Sequence, residues 1–232
     1  MIRLYVEAVT PSQSVPLTLE QYHYLTHVMR LKEGDSFLIF NPLQGEFLAT
    51  LHLTKKQGAA VPQKQTRRPE QKTSPVTLYI APIRKEKMEL VIQKATEIGV
   101  EVICPILTKH TCHRPLTPER AHAIMVEAAE QSERLLLPTW HPPMTLKELL
   151  DTRTGKEPLF YLSERGIQKQ VSLPAPPLGF LIGPEGGFAP EEISLLEQQK
   201  NTHAINLGAF ILRAETAAIS ILATYRFHRF FT

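Results

Sequence analysis

Scarcity frames this chain of 232 residues: 2 cysteines, 1 tryptophan and no long apolar run. No stretch approaches the roughly 18 apolar residues that cross a bilayer, so no membrane role is expected. The opening "MIRLYVEAVT" has one early Arg and no apolar core. It reads as a poor signal peptide, which makes the cytoplasm the expected compartment. Cys104 and Cys112 suit reduced thiols there better than a disulfide framework. G-x-G-x-x-G is missing, which removes the dinucleotide fingerprint. A glycine-rich loop ending in Gly-Lys-Ser/Thr is missing too, which removes the P-loop. Without G-x-S-x-G a serine hydrolase has no support. There is no internal repeat and no coiled-coil heptad.

What is present is unevenly charged. The net charge is +3. Residues 1–75 carry 9 Lys+Arg against 6 Asp+Glu, residues 76–120 carry 7 against 5, and residues 121–232 carry 10 against 12. Lys55, Lys56, Lys64, Arg67, Arg68 and Lys72 crowd into 55–72 against Glu70 alone. Such a front half fits a polyanion partner or simply a solvated surface.

Two regions of different periodicity follow. Residues 2–9, 36–40 and 45–53 read as strands and 17–31 as a short helix, so the first domain is small and β-rich. Residues 55–75 are polar, basic and proline-punctuated, and read as a loop with one weak strand and then a linker. That sets domains of 1–74 and 75–232. In the second, strands at 76–81, 100–107, 159–162, 178–182 and 203–207 alternate with helices at 86–98, from Thr117, at 190–199 and at 213–227. Alternation predicts an α/β fold with a mainly parallel sheet, which places ligands at the carboxyl ends of strands. Met88, Val91, Ile92, Ala95 and Ile98 share one helix face, and Gly99 suits the left-handed end. In the next helix Ala121, Ile124, Met125, Ala128, Ser132 and Leu135 are expected to point inward.

Three constellations carry chemistry. "GFLIGPEGGFAPEEI" puts Gly183, Pro184, Glu185, Gly186 and Gly187 between a buried strand and a helix start. The glycines permit close backbone approach to a ligand or simply a tight turn. "NLGAFILRAETAAISIL" ends a strand at Leu207, breaks at Gly208 and enters an apolar helix with Arg213 and Glu215 at its mouth. Lys87, Lys94 and Glu97 on one helix, and Arg120, Glu127, Gln131 and Arg134 on another, line polar faces that suit either solvent or an anionic partner. In "KHTCHRP", His110, Cys112 and His113 are too crowded for the usual zinc spacings and lack a second pair, so no metal is expected.

In their order, "KMELVIQKATEIGV", "EAAEQSERLLLP", "LIGPEGGFAPEEI" and "LGAFILRAETA" resemble the RsmE family over nearly the whole chain. That family comprises bacterial RNA methyltransferases of the SPOUT superfamily, acting on N3 of a uridine in the decoding region of 16S ribosomal RNA. The resemblance implies a C-terminal α/β domain with a trefoil knot, an N-terminal PUA-like β-barrel and a homodimer. It also implies S-adenosylmethionine as cofactor and 16S rRNA, within the small ribosomal subunit, as substrate. Carried over by position, Leu162, Gly183, Pro184, Glu185, Gly186, Gly187, Leu207, Gly208, Ile211, Leu212, Arg213, Glu215 and Thr216 hold the cofactor. Arg213 and Glu185 are the catalytic candidates. Arg30, Arg67, Arg68, Lys87, Lys94 and Arg134 are the RNA-binding ones. The chain departs from the pattern where Ala209 and Phe210 replace a usual Pro-Arg pair, and where Ala189 replaces a common Ser cap. The competing expectations are methylation of another RNA base, or a non-catalytic RNA-binding factor in ribosome assembly.

Overall fold

The structure is a computed structural model that describes residues 1–11, 13–54, 57–70, 75–163 and 173–231. Its contacts divide into two compact units, Met1–Gln71 with Ala129–Leu137, and Lys72–Ala128 with Pro138–Thr232. Ser74, on one side of the expected domain boundary, lies outside the described residues, as do Lys55, Lys56 and Lys72 of the basic stretch.

The first unit is built on strands β1 (Arg3–Tyr5), β2 (Val15–Pro16), β3 (Ser36–Asn41), β4 (Gly45–Leu53) and β5 (Gly58–Arg67). They form one sheet in the order β1-β3-β4-β5-β2. β1 runs parallel to β3, and the other pairs are antiparallel. Residues expected as one helix split into α1 (Leu19–His23), closed by a Thr18–Gln21 capping box, and a π-helical turn (Tyr24–Val28). Leu4, Phe37, Ile39, Phe47, Ala49, Leu51 and Leu25 make the core.

β5 corrects the sequence reading. A loop with a weak strand was expected, and a ten-residue strand is found. Pro62 is tolerated because it faces Ala49 at a register shift in β4, and among the described residues β2 pairs only with Ala59 and Ala60, leaving Pro62 without a strand partner on that side. Gly58, Ala60 and Pro62 are buried and alternate with half-buried Ala59 and Val61, whereas Gln63, Lys64, Gln65 and Thr66 are all exposed. The first half of the strand thus shows the alternation of one buried face.

One buried ion pair organises this unit. Arg3 donates to Glu46 Oε2 at 2.6 Å and to the carbonyl of Ala129 at 2.7 Å, and its guanidinium lies 3.5 Å above the Phe40 ring. Burial lowers its pKa, against the opposing pull of Glu46. Phe40 also packs with Ala129 and Leu135.

The second unit holds β6 (Val76–Ile80), α2 (Lys85–Ile98), β7 (Val102–Leu107), α3 (Pro118–Gln131), β8 (Thr139–Trp140), β9 (Met144–Thr145), α4 (Leu146–Thr152), β10 (Leu159–Leu162), β11 (Leu178–Ile182), α5 (Pro190–Gln198), β12 (Thr202–Ile205) and α6 (Ala214–Phe231). The last three residues of α3, from Ala129, fall in the first unit. The sheet order is β12-β10-β11-β6-β7-β8, with β9 also pairing β7, and every pairing is parallel.

Alternate residues serve two cores, as a period of two requires. Leu78, Ile80, Phe160, Phe180 and Ile182 meet α2 and α6 on one face. Cys104, Ile106, Leu159, Tyr161 and Leu181 meet α4 and Leu196 of α5 on the other. α2 buries Met88, Val91, Ile92 and Ala95 as expected, and Gly99 ends it at φ 103°. α3 buries Ala121, Ile124, Met125 and Ala128, but Ser132 is exposed. The helix stops at Gln131 and Glu133 turns at φ 57°, so helical spacing no longer sets which residues face inward.

Candidate active site

Three adjacent parallel strands deliver the predicted cofactor residues to one edge of the sheet. β10 lies between β12 and β11, with Leu162 opposite Ile205 and Tyr161 opposite Leu181. The carboxyl ends of β10, β11 and β12 therefore release Leu162, the 183–189 loop and the 206–213 loop side by side. Leu162, Leu207 and Leu212 are each half-buried there. This is the edge where ligands bind in open parallel sheets.

The glycine loop is a tight turn with a conformational demand. Gly187 N–H donates to the Pro184 carbonyl at 2.9 Å, and Gly187 sits at φ 66°. A Cβ on Gly183 would meet the Phe188 ring at 3.1 Å, and one on Gly186 would meet His110 Cβ at 3.3 Å. A Cβ on Gly187 would meet nothing within 4 Å, so backbone angle, not crowding, selects glycine there. α5 then starts at Pro190 with no side-chain cap from Ala189. Glu192 Oε2 accepts from the Ala189 N–H at 2.9 Å instead, half of a capping box.

In the second loop Gly208 adopts φ 127°, and its N–H donates to Asn206 Oδ1 at 2.8 Å. Phe210 and Ile211 are 86% and 75% exposed, and Arg213 is exposed at the mouth of α6. Glu215 is different. It is buried and pairs with Lys87 Nζ at 3.4 Å, tying α6 to α2. Thr216 is exposed.

A third segment braces the glycine loop, and sequence reasoning missed its part. His110 Nδ1 lies 3.1 Å and 3.2 Å from the carbonyls of Gly186 and Gly187, a contact that places a proton on Nδ1. Lys109 N–H donates to Glu192 Oε1 at 2.8 Å, and its Nζ reaches Glu191 at 3.0 Å. The Glu191 carboxyl is held below its ordinary pKa by its own backbone N–H and then by Lys109. "KHTCHRP" drew notice only for its possible metal ligands, because nothing local signals contact with a loop so far along the chain. His113 Nε2 comes within 3.9 Å of Glu185 Oε1.

The predicted RNA contacts are not equivalent. Arg67 is engaged by Glu70 and by the Glu133 carbonyl, so it ties down its own unit. Lys94 is paired with Glu97 at 2.8 Å, and Lys87 with Glu215. Arg134 is half-buried, and Arg68 is exposed. Arg30 is exposed after the π-helical turn at φ 57°, a left-handed conformation uncommon for a non-glycine residue.

Residues 69–226 match the model of an RNA methyltransferase domain, and residues 17–62 that of an RNA methyltransferase PUA domain. Fold and site thus define an RNA methyltransferase with an α/β architecture. The relative from Rickettsia conorii named ribosomal RNA small subunit methyltransferase E is 34% identical, across 97% of this chain and 94% of its own. One of the same name from Synechocystis is 35% identical across 96% and 77%. The chain belongs to the ribosomal RNA small subunit methyltransferase E family. A solved methyltransferase structure from Legionella pneumophila, in complex with S-adenosylmethionine, superposes with a TM-score of 0.83 at 28% identity, covering 98% of this chain and 97% of that one.

Proposed function

We propose that the protein methylates N3 of a uridine in the decoding region of 16S ribosomal RNA, using S-adenosylmethionine. The observation that carries this is the meeting of Leu162 and the two glycine-bearing loops at one sheet edge, in a chain of this family. The site suits the cofactor: half-buried Leu162, Leu207 and Leu212 offer an apolar wall for an adenine, and loop backbone offers hydrogen bonds. Gly183–Gly187, Gly208, Ile211 and the stem of Arg213 complete it.

When bound, S-adenosylmethionine supplies an electrophilic methyl on a sulfonium, whose C–S bond breaks as the bond to N3 forms. N3 carries a proton at neutral pH, so a base must take it. Glu185 is exposed on the glycine loop and accepts that proton; Arg213 stabilises negative charge on the uracil oxygens. Alignment of N3 with the methyl supplies much of the remaining rate.

The same reading proposes a trefoil knot in the domain 75–232, a PUA-like barrel in 1–74, a homodimer, and action in the cytoplasm within the small ribosomal subunit. Exposed Phe210 and Ile211 beside the cofactor loop support the dimer. The basic residues Arg30, Arg68 and Arg134 position phosphates without reading sequence.

The test is mass mapping of 16S RNA from cells lacking the protein, with small subunits methylated in vitro. One uridine is expected to lose its methyl and to regain it from the purified enzyme. Arg213→Ala is expected to lower turnover on the order of 10²–10³-fold. Methyl gain at another base points to a different reaction. Unchanged RNA and no cofactor binding in a titration point to a non-catalytic assembly factor.

A further inference from the structure

We propose that Cys112, His113 and Glu185 form a binding site for a divalent cation of the zinc class. Their ligand atoms lie within 4.8 Å of one another, and His113 Nε2 is 3.9 Å from Glu185 Oε1. Thiolate, imidazole and carboxylate are the ligand types zinc takes, at about 2.3, 2.0–2.1 and 2.0–2.2 Å. Atoms at those radii around one tetrahedral ion stand roughly 3.3–3.6 Å apart. The three groups therefore need to close by little more than an ångström. All three are exposed or half-exposed, so rotation about their own side-chain bonds supplies that movement, and an ion reaches them from solvent.

The backbone is already arranged. Residues 108–111 fold into a turn, with Thr111 N–H on the Thr108 carbonyl at 3.1 Å and Thr108 N–H on Thr111 Oγ1 at 2.9 Å. His110 then joins this turn to the glycine loop through the Gly186 and Gly187 carbonyls, and Lys109 joins it to Glu191 and Glu192. The two ligand-bearing segments are thus fixed side by side by contacts that use none of the three ligands. An ion bound there meets a preorganised pair of loops and pays little ordering entropy. Three protein ligands leave a fourth position open to water.

The sequence argued against a metal because His110, Cys112 and His113 are too crowded for the usual zinc spacings and no second pair is in sight. The fold supplies the third ligand from a distant loop. The site stands without any assumption about methyl transfer. If Glu185 is the base proposed above, an ion held there withdraws its carboxylate, and zinc becomes an inhibitor that a chelator reverses.

The experiment is a Co²⁺ titration of the full-length, reduced protein, without RNA or cofactor, followed by thiolate-to-cobalt charge-transfer absorption. One equivalent per chain is expected to develop the band, and Zn²⁺ to abolish it by displacement. Cys112→Ser should remove the band. His113→Ala and the isosteric Glu185→Gln should each weaken binding about tenfold or more. Cys104→Ala should leave it unchanged, because that thiol is buried. The proposal is overturned if no band forms, if it survives Cys112→Ser, if two chains share one ion, or if Glu185→Gln and His113→Ala bind as tightly as the parent.

Discussion

Arg3 shows how much one side chain settles in the first unit. Its guanidinium is buried against Glu46, Phe40 and the Ala129 carbonyl. Removing one partner of a buried pair leaves the other charge uncompensated. Arg3→Ala is therefore expected to cost about 3–5 kcal/mol in denaturant unfolding, and a double change replacing both Arg3 and Glu46 with apolar residues to cost less. The two thiols also separate at this scale. Burial pushes Cys104 up to about 11, whereas Cys112 is exposed. A maleimide is expected to label one thiol in the native protein and two after denaturation. The raised value sets a sign for stability too. Between the ordinary thiol range and pH 11 the folded state holds a proton that the unfolded state has lost. Stability contributed by Cys104 is thus present below about pH 8.5 and falls as pH rises towards 11, by about 2–3 kcal/mol. Cys104→Ala should flatten that decline; an unaltered alkaline slope would assign it elsewhere.

Loops and strands obey rules of different reach. The longer second-unit strands were legible because most are short apolar runs, and the near-complete burial of 159–162 and 178–182 follows directly; β8 and β9, two residues each, carried no such signal. β5 was not, because its basic, proline-containing run imitates a linker; pairing with β4 overrides local propensity. α4 was missed at seven residues, although its Thr145–Glu148 capping box is visible in the sequence. In the two glycine loops the residue type was readable and its reason was not. Gly187 and Gly208 both have open space around a notional Cβ, but φ is 66° at one and 127° at the other. Alanine reaches the first at about 1–2 kcal/mol, whereas the second is territory for glycine alone. Gly208→Ala should weaken S-adenosylmethionine binding in calorimetry more than Gly187→Ala does, and Gly187→Asn should be the mildest of the three. Equal losses would show that backbone angle is not what selects these residues.

Across the whole molecule, the candidate site depends on strand order that no sequence window contains. Leu162, Gly183 and Leu207 become neighbours only because β10 inserts between β11 and β12. The His110 brace is likewise a product of topology. Unit composition follows the same logic, since Ala129–Leu137 belongs with Met1–Gln71. Expressed alone, residues 1–74 lack the carbonyl that Arg3 bonds and the Leu135 that packs on Phe40. That fragment is expected to lose cooperative unfolding in urea, whereas the full chain retains it; a sharp transition in the fragment would show the added segment to be dispensable.

That discontinuity also has a meaning in time. A ribosome adds about 5–20 residues per second, and domains commonly fold as they emerge. Here the first strands made must wait for residue 129 before Arg3 meets the Ala129 carbonyl, and for residue 137 before the unit is complete. For an interval on the order of ten seconds, the nascent chain carries the five strands of this sheet without the Ala129 and Leu135 that pack on Phe40. In a cell short of chaperones, that interval during synthesis is the expected point of weakness.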